Sequence, residues 1–273
     1  MRFIDIQGVR LETAHIPGPT HLPPLVFLHE GLGSVGLWQQ RGRDWPRELC
    51  EATGRAGWLY SRRGYGQSDP IPDVRGPGRW PNGSPGGWHM GRHGPDYMHL
   101  EAQQTLPAWL KAIGVERPVL IGHSDGATIA VLHASEFAVS ACVVMAPHLR
   151  VEPIAIQAIA QARAAYTAAD GSLRQRLARH HRDVDNAFWQ WNDVWLSDAF
   201  QAFDIREACQ RITAPLLAVQ GLDDEYGTLQ QLDDVALAVP HSQRLELPQC
   251  GHSPHRDQPD ALTAAIAAWL AAA

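Results

Sequence analysis

The chain of 273 residues is 45% hydrophobic and 19% charged, a balance typical of a globular protein. Its 23 Lys and Arg against 29 Asp and Glu give a formal net charge of −6, which argues against a nucleic-acid-binding surface. No apolar run approaches the roughly 18 residues of a membrane span, and the N-terminus lacks the long apolar segment of a signal peptide. The four cysteines form no Cys-x-x-Cys pair, so we expect reduced thiols in a cytoplasmic protein.

Short apolar runs alternate with helical patterns along the chain. The segments 2–6 and 9–15 flank Gln7-Gly8 and predict an opening hairpin. Further strands are predicted at 24–28, 57–60, 118–121, 141–145, 215–219 and 244–247. Helices are predicted at 100–113, at 126–133 and over the last fifteen residues. This alternation predicts an α/β fold with a mostly parallel central sheet flanked by helices.

Two stretches interrupt the alternation. The segment Pro70 to Pro95 is rich in Gly and Pro, carries Trp80 and Trp88, and has no periodicity. We expect it to wall the substrate entrance, the alternative being a surface excursion unrelated to the site. Residues 148–203 are helical in composition without a convincing strand. We therefore expect a core of residues 1–147 and 204–273 and an inserted helical cap of residues 148–203.

The strongest chemical signal is Gly122-His-Ser-Asp-Gly126, a G-x-S-x-G pattern placed directly after an apolar run and directly before a helix. That context is the one a nucleophile elbow requires, with Ser124 as the nucleophile. The helix N-terminus behind the serine favours developing negative charge. An ordinary strand-to-helix turn with a small polar residue is the alternative.

With this motif the chain resembles the α/β-hydrolase superfamily of esterase- and lipase-like serine hydrolases, nearly from end to end. In that superfamily the acid and then the histidine follow the nucleophile along the chain. The segment Gln220–Gly227 resembles the family's acid turn and points to Asp224, with Asp223 as the rival. Gly251-His252 resembles the histidine loop, and His255 is a weaker competitor for the base. The resemblance implies that the imidazole takes the serine proton and the carboxylate stabilises the imidazolium.

The resemblance also implies an oxyanion hole made of two backbone N–H groups. One belongs to Asp125, the residue after the nucleophile. The other is assigned to Gly31 in Leu28-His-Glu-Gly-Leu-Gly, which is similar to the family's His-Gly loop except that Glu30 stands where glycine is usual. Residues considered for substrate contact are His29, Glu30, His148, Trp189 and Trp195.

Other motifs indicate structure rather than chemistry. The segment Tyr60–Ser68 is similar to the family's turn after the fourth strand, where Arg and Gly serve packing and the turn. We expect no metal site, since the adjacent His180 and His181 point to different faces of a helix. Neither a dinucleotide fingerprint nor a Walker A pattern is present, so we expect no cofactor.

The resemblance implies a serine hydrolase that cleaves small to medium carboxylic esters, with no nucleic-acid or membrane partner. Two alternatives keep the triad: a lactonase, or a C–C bond hydrolase of meta-cleavage products with Arg150 or Arg163 as carboxylate ligand. The non-enzymatic alternative is a ligand receptor that retains the fold. Dehalogenases and epoxide hydrolases need an Asp nucleophile, which this elbow lacks. The sequence specifies no oligomeric state.

Overall fold

The structure, a computed structural model, describes residues 2–72 and 93–272. Trp80 and Trp88, with most of the predicted entrance loop, lie outside the described residues. Within them, no helix is long and apolar enough to cross a bilayer.

An eight-stranded sheet forms the centre of the described part of the chain. Its strands are β1 (Arg2–Ile6), β2 (Val9–Ile16), β3 (Leu25–Leu28), β4 (Gly57–Tyr60), β5 (Val119–His123), β6 (Ala141–Met145), β7 (Leu216–Gly221) and β8 (Gln243–Leu247). Their spatial order is β1-β2-β4-β3-β5-β6-β7-β8. The pairs β1–β2 and β2–β4 are antiparallel and every other pair is parallel, which confirms the predicted mostly parallel sheet.

Helices connect the strands and cover both faces of the sheet. They are α1 (Trp45–Thr53), α2 (Tyr97–Leu100), α3 (Leu106–Ile113), α4 (Asp125–Ala134), α5 (Pro153–Thr167), α6 (Ser172–Leu177), α7 (Val184–Trp195), α8 (Arg206–Cys209), α9 (Gln230–Ala238), α10 (Pro254–Asp257) and α11 (Pro259–Ala272). Short 3-10 turns occupy Val35–Trp38 and Asp198–Ala202, and a two-stranded ribbon pairs Gln39–Gln40 with Arg43–Asp44.

The helix predicted at 100–113 is longer and less regular than its pattern indicated. It begins at Tyr97, and a π-helical turn, Glu101–Thr105, joins α2 to α3. Pro107 stands in the first turn of α3. Because proline has no N–H to donate, the regular i to i−4 bonding is interrupted there.

Two apolar cores lie on opposite faces of the sheet. Leu120 of β5 packs in the core that contains Trp109 and Ile129, whereas its neighbours Val119 and Ile121 belong to the core that contains α1 and α11 side chains. Side chains alternate across a strand, so a continuous apolar run such as β5 serves both cores. All ten residues of α4 are buried, which holds its N-terminus at the middle of the sheet.

The chain leaves the sheet after β6 and returns before β7. Arg150 and Asp204 form an isolated antiparallel bridge at the base of this excursion. We call residues 148–203 the helical insertion; it contains α5, α6 and α7. Its α7 is tied to the sheet domain by hydrogen bonds, among them Asn186 Nδ2 to the Ile71 carbonyl at 2.7 Å.

Candidate active site

Ser124 stands in the sharp turn between β5 and α4. Its backbone has φ 53° and ψ −119°, an unfavourable conformation for a residue with a side chain. The two glycines of the pattern allow the turn. A Cβ on Gly126 would lie 2.0 Å from the Leu28 carbonyl oxygen, and one on Gly122 would lie 2.4 Å from the Gly126 carbonyl oxygen. The sequence pattern therefore corresponds to an elbow that tolerates glycine alone at both positions.

Three side chains from separate loops meet at this elbow. His252 Nε2 lies 2.9 Å from Ser124 Oγ, and His252 Nδ1 lies 2.9 and 3.0 Å from the two carboxylate oxygens of Asp224. The acid follows β7 and the histidine follows β8, so all three groups sit at the carboxyl ends of parallel strands, along one edge of the sheet. The rival Asp223 is exposed. The other candidate base, His255, is buried with its ring against aromatic side chains.

The Asp224 carboxylate is held by backbone donors. Its Oδ1 accepts the N–H of Tyr226 at 2.8 Å and of Gly227 at 3.3 Å, and its Oδ2 accepts Gln220 Nε2 at 2.7 Å. Burial opposes ionisation, but the neighbouring His252, together with the Tyr226 N–H, outweighs it and lowers the pKa of Asp224. The carboxylate is therefore ionised at neutral pH.

The His252 imidazole is biased toward its protonated form. Burial alone would lower its pKa, but the charge and hydrogen bond of Asp224 outweigh burial, with smaller help from Glu30 and Glu225, and the pKa of His252 is raised. Its backbone is fixed as well. His123 Nε2 donates to the His252 carbonyl at 2.7 Å, and the Glu225 carboxylate accepts the His252 N–H at 3.2 Å.

Two backbone N–H groups beside Ser124 have no acceptor in the part of the chain that the structure describes. Within the described residues, neither the N–H of Gly31 nor that of Asp125 donates to a protein acceptor. Both residues line the cavity that contains Ser124. Donors of this kind stabilise an oxyanion, since their dipoles are in place before the charge develops.

The cavity has a volume of about 750 Å³. Its wall combines residues of the helical insertion with residues from the rest of the fold. The apolar and aromatic part of that wall consists of Leu32, Leu37, Ile159, Leu173, Leu177, Trp191, Trp195 and Tyr226. The guanidinium groups that line it are those of Arg41, Arg176, Arg179 and Arg256. Among the described residues, no three His, Cys, Asp or Glu side chains are grouped as metal ligands would be.

Three of the residues considered for substrate contact line this cavity: Glu30, His148 and Trp195. Burial, with the nearby His252, lowers the pKa of His148 to about 3, so its imidazole is neutral. Trp189 does not line the cavity and packs against Tyr166 instead.

Trp191 takes the place in the cavity wall that had been considered for Trp189. Trp191 and Trp195 are four positions apart and share one face of α7, whereas Trp189 lies two positions earlier and faces elsewhere. The four-residue spacing therefore places Trp191 and Trp195 together on the cavity side of α7.

His29, the remaining candidate, is buried and does not line the cavity. Arg150 and Arg163, considered as carboxylate ligands, are also engaged elsewhere. Arg150 pairs with Asp234 at 2.8 Å, and Arg163 pairs with Asp193 at 2.5 Å. Neither arginine lines the cavity.

Comparison with known proteins identifies the same architecture. The profile of the alpha/beta hydrolase family matches residues 25–265. The chain is 21% identical over 295 residues to the sn-1-specific diacylglycerol lipase ABHD11 of Mus musculus, covering 98% of this chain and 87% of that protein.

Solved structures of similar fold include a lactonase and a carboxylesterase. An enol-lactonase from Burkholderia xenovorans superimposes with a TM-score of 0.69 at 17% identity, over 99% of this chain and 100% of that one. A carboxylesterase structure from Nitrososphaera gargenis gives a TM-score of 0.72 at 14% identity, over 99% and 98% of the two chains. At such low identity the likeness shows the shared fold.

Proposed function

The chain belongs to the α/β hydrolase family, and we propose that it is a serine hydrolase that cleaves carboxylic esters without a cofactor. The observation that carries the proposal is the continuous line of hydrogen bonds from Asp224 through His252 to Ser124. Each member has the state that the chemistry needs. The carboxylate is ionised, the imidazole Nε2 faces the hydroxyl, and the serine stands in a strained turn beside two free N–H donors.

The geometry supports a double-displacement mechanism. His252 Nε2 removes the Ser124 proton as Oγ attacks the ester carbonyl, and the N–H groups of Gly31 and Asp125 stabilise the tetrahedral oxyanion. His252 then gives that proton to the departing alcohol, which leaves an acyl-serine. A water molecule, deprotonated by His252, attacks the acyl carbonyl, and its proton is returned to Ser124 Oγ as the acid leaves.

We assign the helical insertion the role of a cap over the site. Its α5, α6 and α7 contribute Ile159, Leu173 and Trp191 to the cavity wall, and the bridge at Arg150 and Asp204 marks where it joins the core. A cavity of about 750 Å³ falls in the usual range for small organic ligands, which supports esters of small to medium size.

Lactones are the second candidate substrates. A lactone is an internal ester, so the same nucleophile and oxyanion donors would open it, and an enol-lactonase is among the proteins of similar fold. The C–C hydrolase alternative loses the two carboxylate ligands named for it, because Arg150 and Arg163 pair with Asp234 and Asp193 and do not line the cavity. The arginines that do line it are Arg41, Arg176, Arg179 and Arg256. A pure receptor would have no use for a serine held at φ 53°.

The proposal is tested by assaying p-nitrophenyl acetate, p-nitrophenyl butyrate and a lactone panel. Ser124→Ala should lower kcat by on the order of 10⁴-fold or more while the melting temperature stays unchanged. A fluorophosphonate should label Ser124 of the wild type, as read by mass spectrometry. Ser140→Ala, whose hydroxyl donates to the Arg117 carbonyl outside the site, is the matched control. Retention of more than about a hundredth of the activity by Ser124→Ala would exclude the serine mechanism.

A further inference from the structure

The peptide between Glu30 and Gly31 is held from one side only. Its carbonyl oxygen accepts three hydrogen bonds, from His29 Nδ1 at 2.7 Å, Arg62 Nη2 at 2.9 Å and the Gly33 N–H at 3.1 Å. Its N–H, which belongs to Gly31, donates to no protein group within the described residues. A trans peptide is planar, with its C=O and N–H pointing in opposite directions. Whatever fixes the carbonyl therefore fixes the direction of the free N–H.

Arg62 makes further contacts to the same loop. Its Nη1 donates to the His29 carbonyl at 2.6 Å, and its backbone N–H donates to His29 Nε2 at 3.0 Å. Because Nε2 accepts that bond, the ring proton sits on Nδ1 and points at the Glu30 carbonyl. Burial and the charge of Arg62 lower the pKa of His29 well below its usual value, so the ring stays neutral. The Arg62 guanidinium thus binds the carbonyls of His29 and Glu30. The Arg62 backbone N–H selects the His29 tautomer that donates to the Glu30 carbonyl.

The carboxylate of Asp125, the residue after Ser124, forms an ion pair with Arg62. Arg62 Nη2 lies 3.7 Å from Asp125 Oδ2, with side-chain exposures of 3% and 1%. The hydroxyl of Tyr97 donates to the same oxygen at 2.5 Å, and Trp195 Nε1 of the helical insertion donates to the Tyr97 hydroxyl at 3.0 Å. A buried guanidinium needs such a partner. Asp125 also carries the second free N–H, so this ion pair links the two donor residues.

We propose that Arg62 is a positioning residue of the oxyanion hole, holding the Gly31 N–H and the Asp125 turn in fixed relation. The inference rests on the proposed serine mechanism. Arg62 does not line the cavity and so acts through Glu30 and Asp125 rather than by touching substrate. Because the two N–H groups bind charge that develops only in the transition state, loss of Arg62 should reduce kcat and leave KM nearly unchanged.

The test compares Arg62→Lys and Arg62→Met with Arg63→Lys and Arg63→Met. Arg63 is the matched control: it adjoins Arg62, and its side chain reaches the Pro70 carbonyl at 3.4 Å with no contact to the oxyanion loop within the described residues. Two rates are measured per folded molecule for each protein. They are the second-order rate at which a fluorophosphonate labels Ser124, and kcat with KM for p-nitrophenyl butyrate.

Arg62→Met should lower kcat and the labelling rate by about 10²–10³-fold, with KM within about threefold of wild type. Arg62→Lys should lose less, since an ammonium keeps the charge but lacks the planar fork that binds two carbonyls. The Arg63 variants should stay within about twofold of wild type.

Wild-type rates in Arg62→Lys and Arg62→Met, or a rise in KM with kcat unchanged, would overturn the role of Arg62. If Arg62→Met does not fold, Arg62→Lys decides between these results. A wild-type protein whose Ser124 resists labelling would instead refute the serine mechanism, and with it the role of Arg62.

Discussion

Asp224→Asn isolates the contribution of the carboxylate that we propose as the acid of the triad. The asparagine oxygen can keep the Tyr226 N–H, which places its amide group 2.7 Å from Gln220 Nε2 and about 3.0 Å from His252 Nδ1. Gln220 Oε1, which has no partner among the described residues, can accept this amide if the Gln220 amide turns and gives up its bond to the Gly227 carbonyl. His252 Nδ1 then accepts a hydrogen bond from this amide instead of donating one, so the ring hydrogen moves to Nε2, which cannot take the Ser124 proton.

The expected loss follows from the geometry. Two unit charges 2.9 Å apart at an effective dielectric of about 20 attract by about 6 kcal/mol, equivalent to on the order of 10⁴ in rate. A wrong tautomer in a serine protease triad costs about 10⁴-fold as well. We expect kcat for p-nitrophenyl butyrate to fall by about that factor, with the melting temperature little changed because the packing is kept.

The exposed neighbour supplies the control for this measurement. Asp223→Asn should change kcat by less than about twofold, since its side chain lies on the surface. A variant Asp224→Asn that keeps more than about a tenth of wild-type kcat would refute the assignment of the acid. An equal loss in both variants would show that the effect is not specific to the carboxylate bonded to His252.

Activity should rise with pH, because catalysis needs the neutral form of His252. Since the pKa of His252 is raised, kcat/KM should fall as the pH is lowered through a midpoint above about 6.5. Rates measured from pH 5 to 9 check this, and a midpoint below about 6 would contradict it. Gly126→Ala should destabilise the fold by about 1–3 kcal/mol, since its Cβ would lie 2.0 Å from the Leu28 carbonyl oxygen. Denaturant unfolding measures the free energy of unfolding of this variant and of the control Gly36→Ala, whose Cβ would meet nothing closer than 3.8 Å. Equal stability of the two variants would argue against the tight elbow.

The fold could be predicted from sequence because its signals are local. A strand buried on both faces must be a short continuous apolar run, and 141–145 was predicted with the bounds that the structure gives. The elbow was local too, since its glycines and its serine lie within five residues between a strand and a helix. The family resemblance then supplied the order of acid and base, and in the structure His252 lies within hydrogen-bond distance of both Asp224 and Ser124.

The tertiary structure decided what depends on the direction of a side chain or on distant partners. The choice of Trp191 over Trp189 required the face that α7 turns to the cavity. The segment that carries Arg62 indicated only a structural turn, yet its partners are His29, 33 positions earlier, and Asp125, which follows the next strand along the chain. Sequence patterns report which residues are buried along one element. They do not report which peptide a buried guanidinium meets, because that contact forms only when β3, β4 and β5 pack side by side.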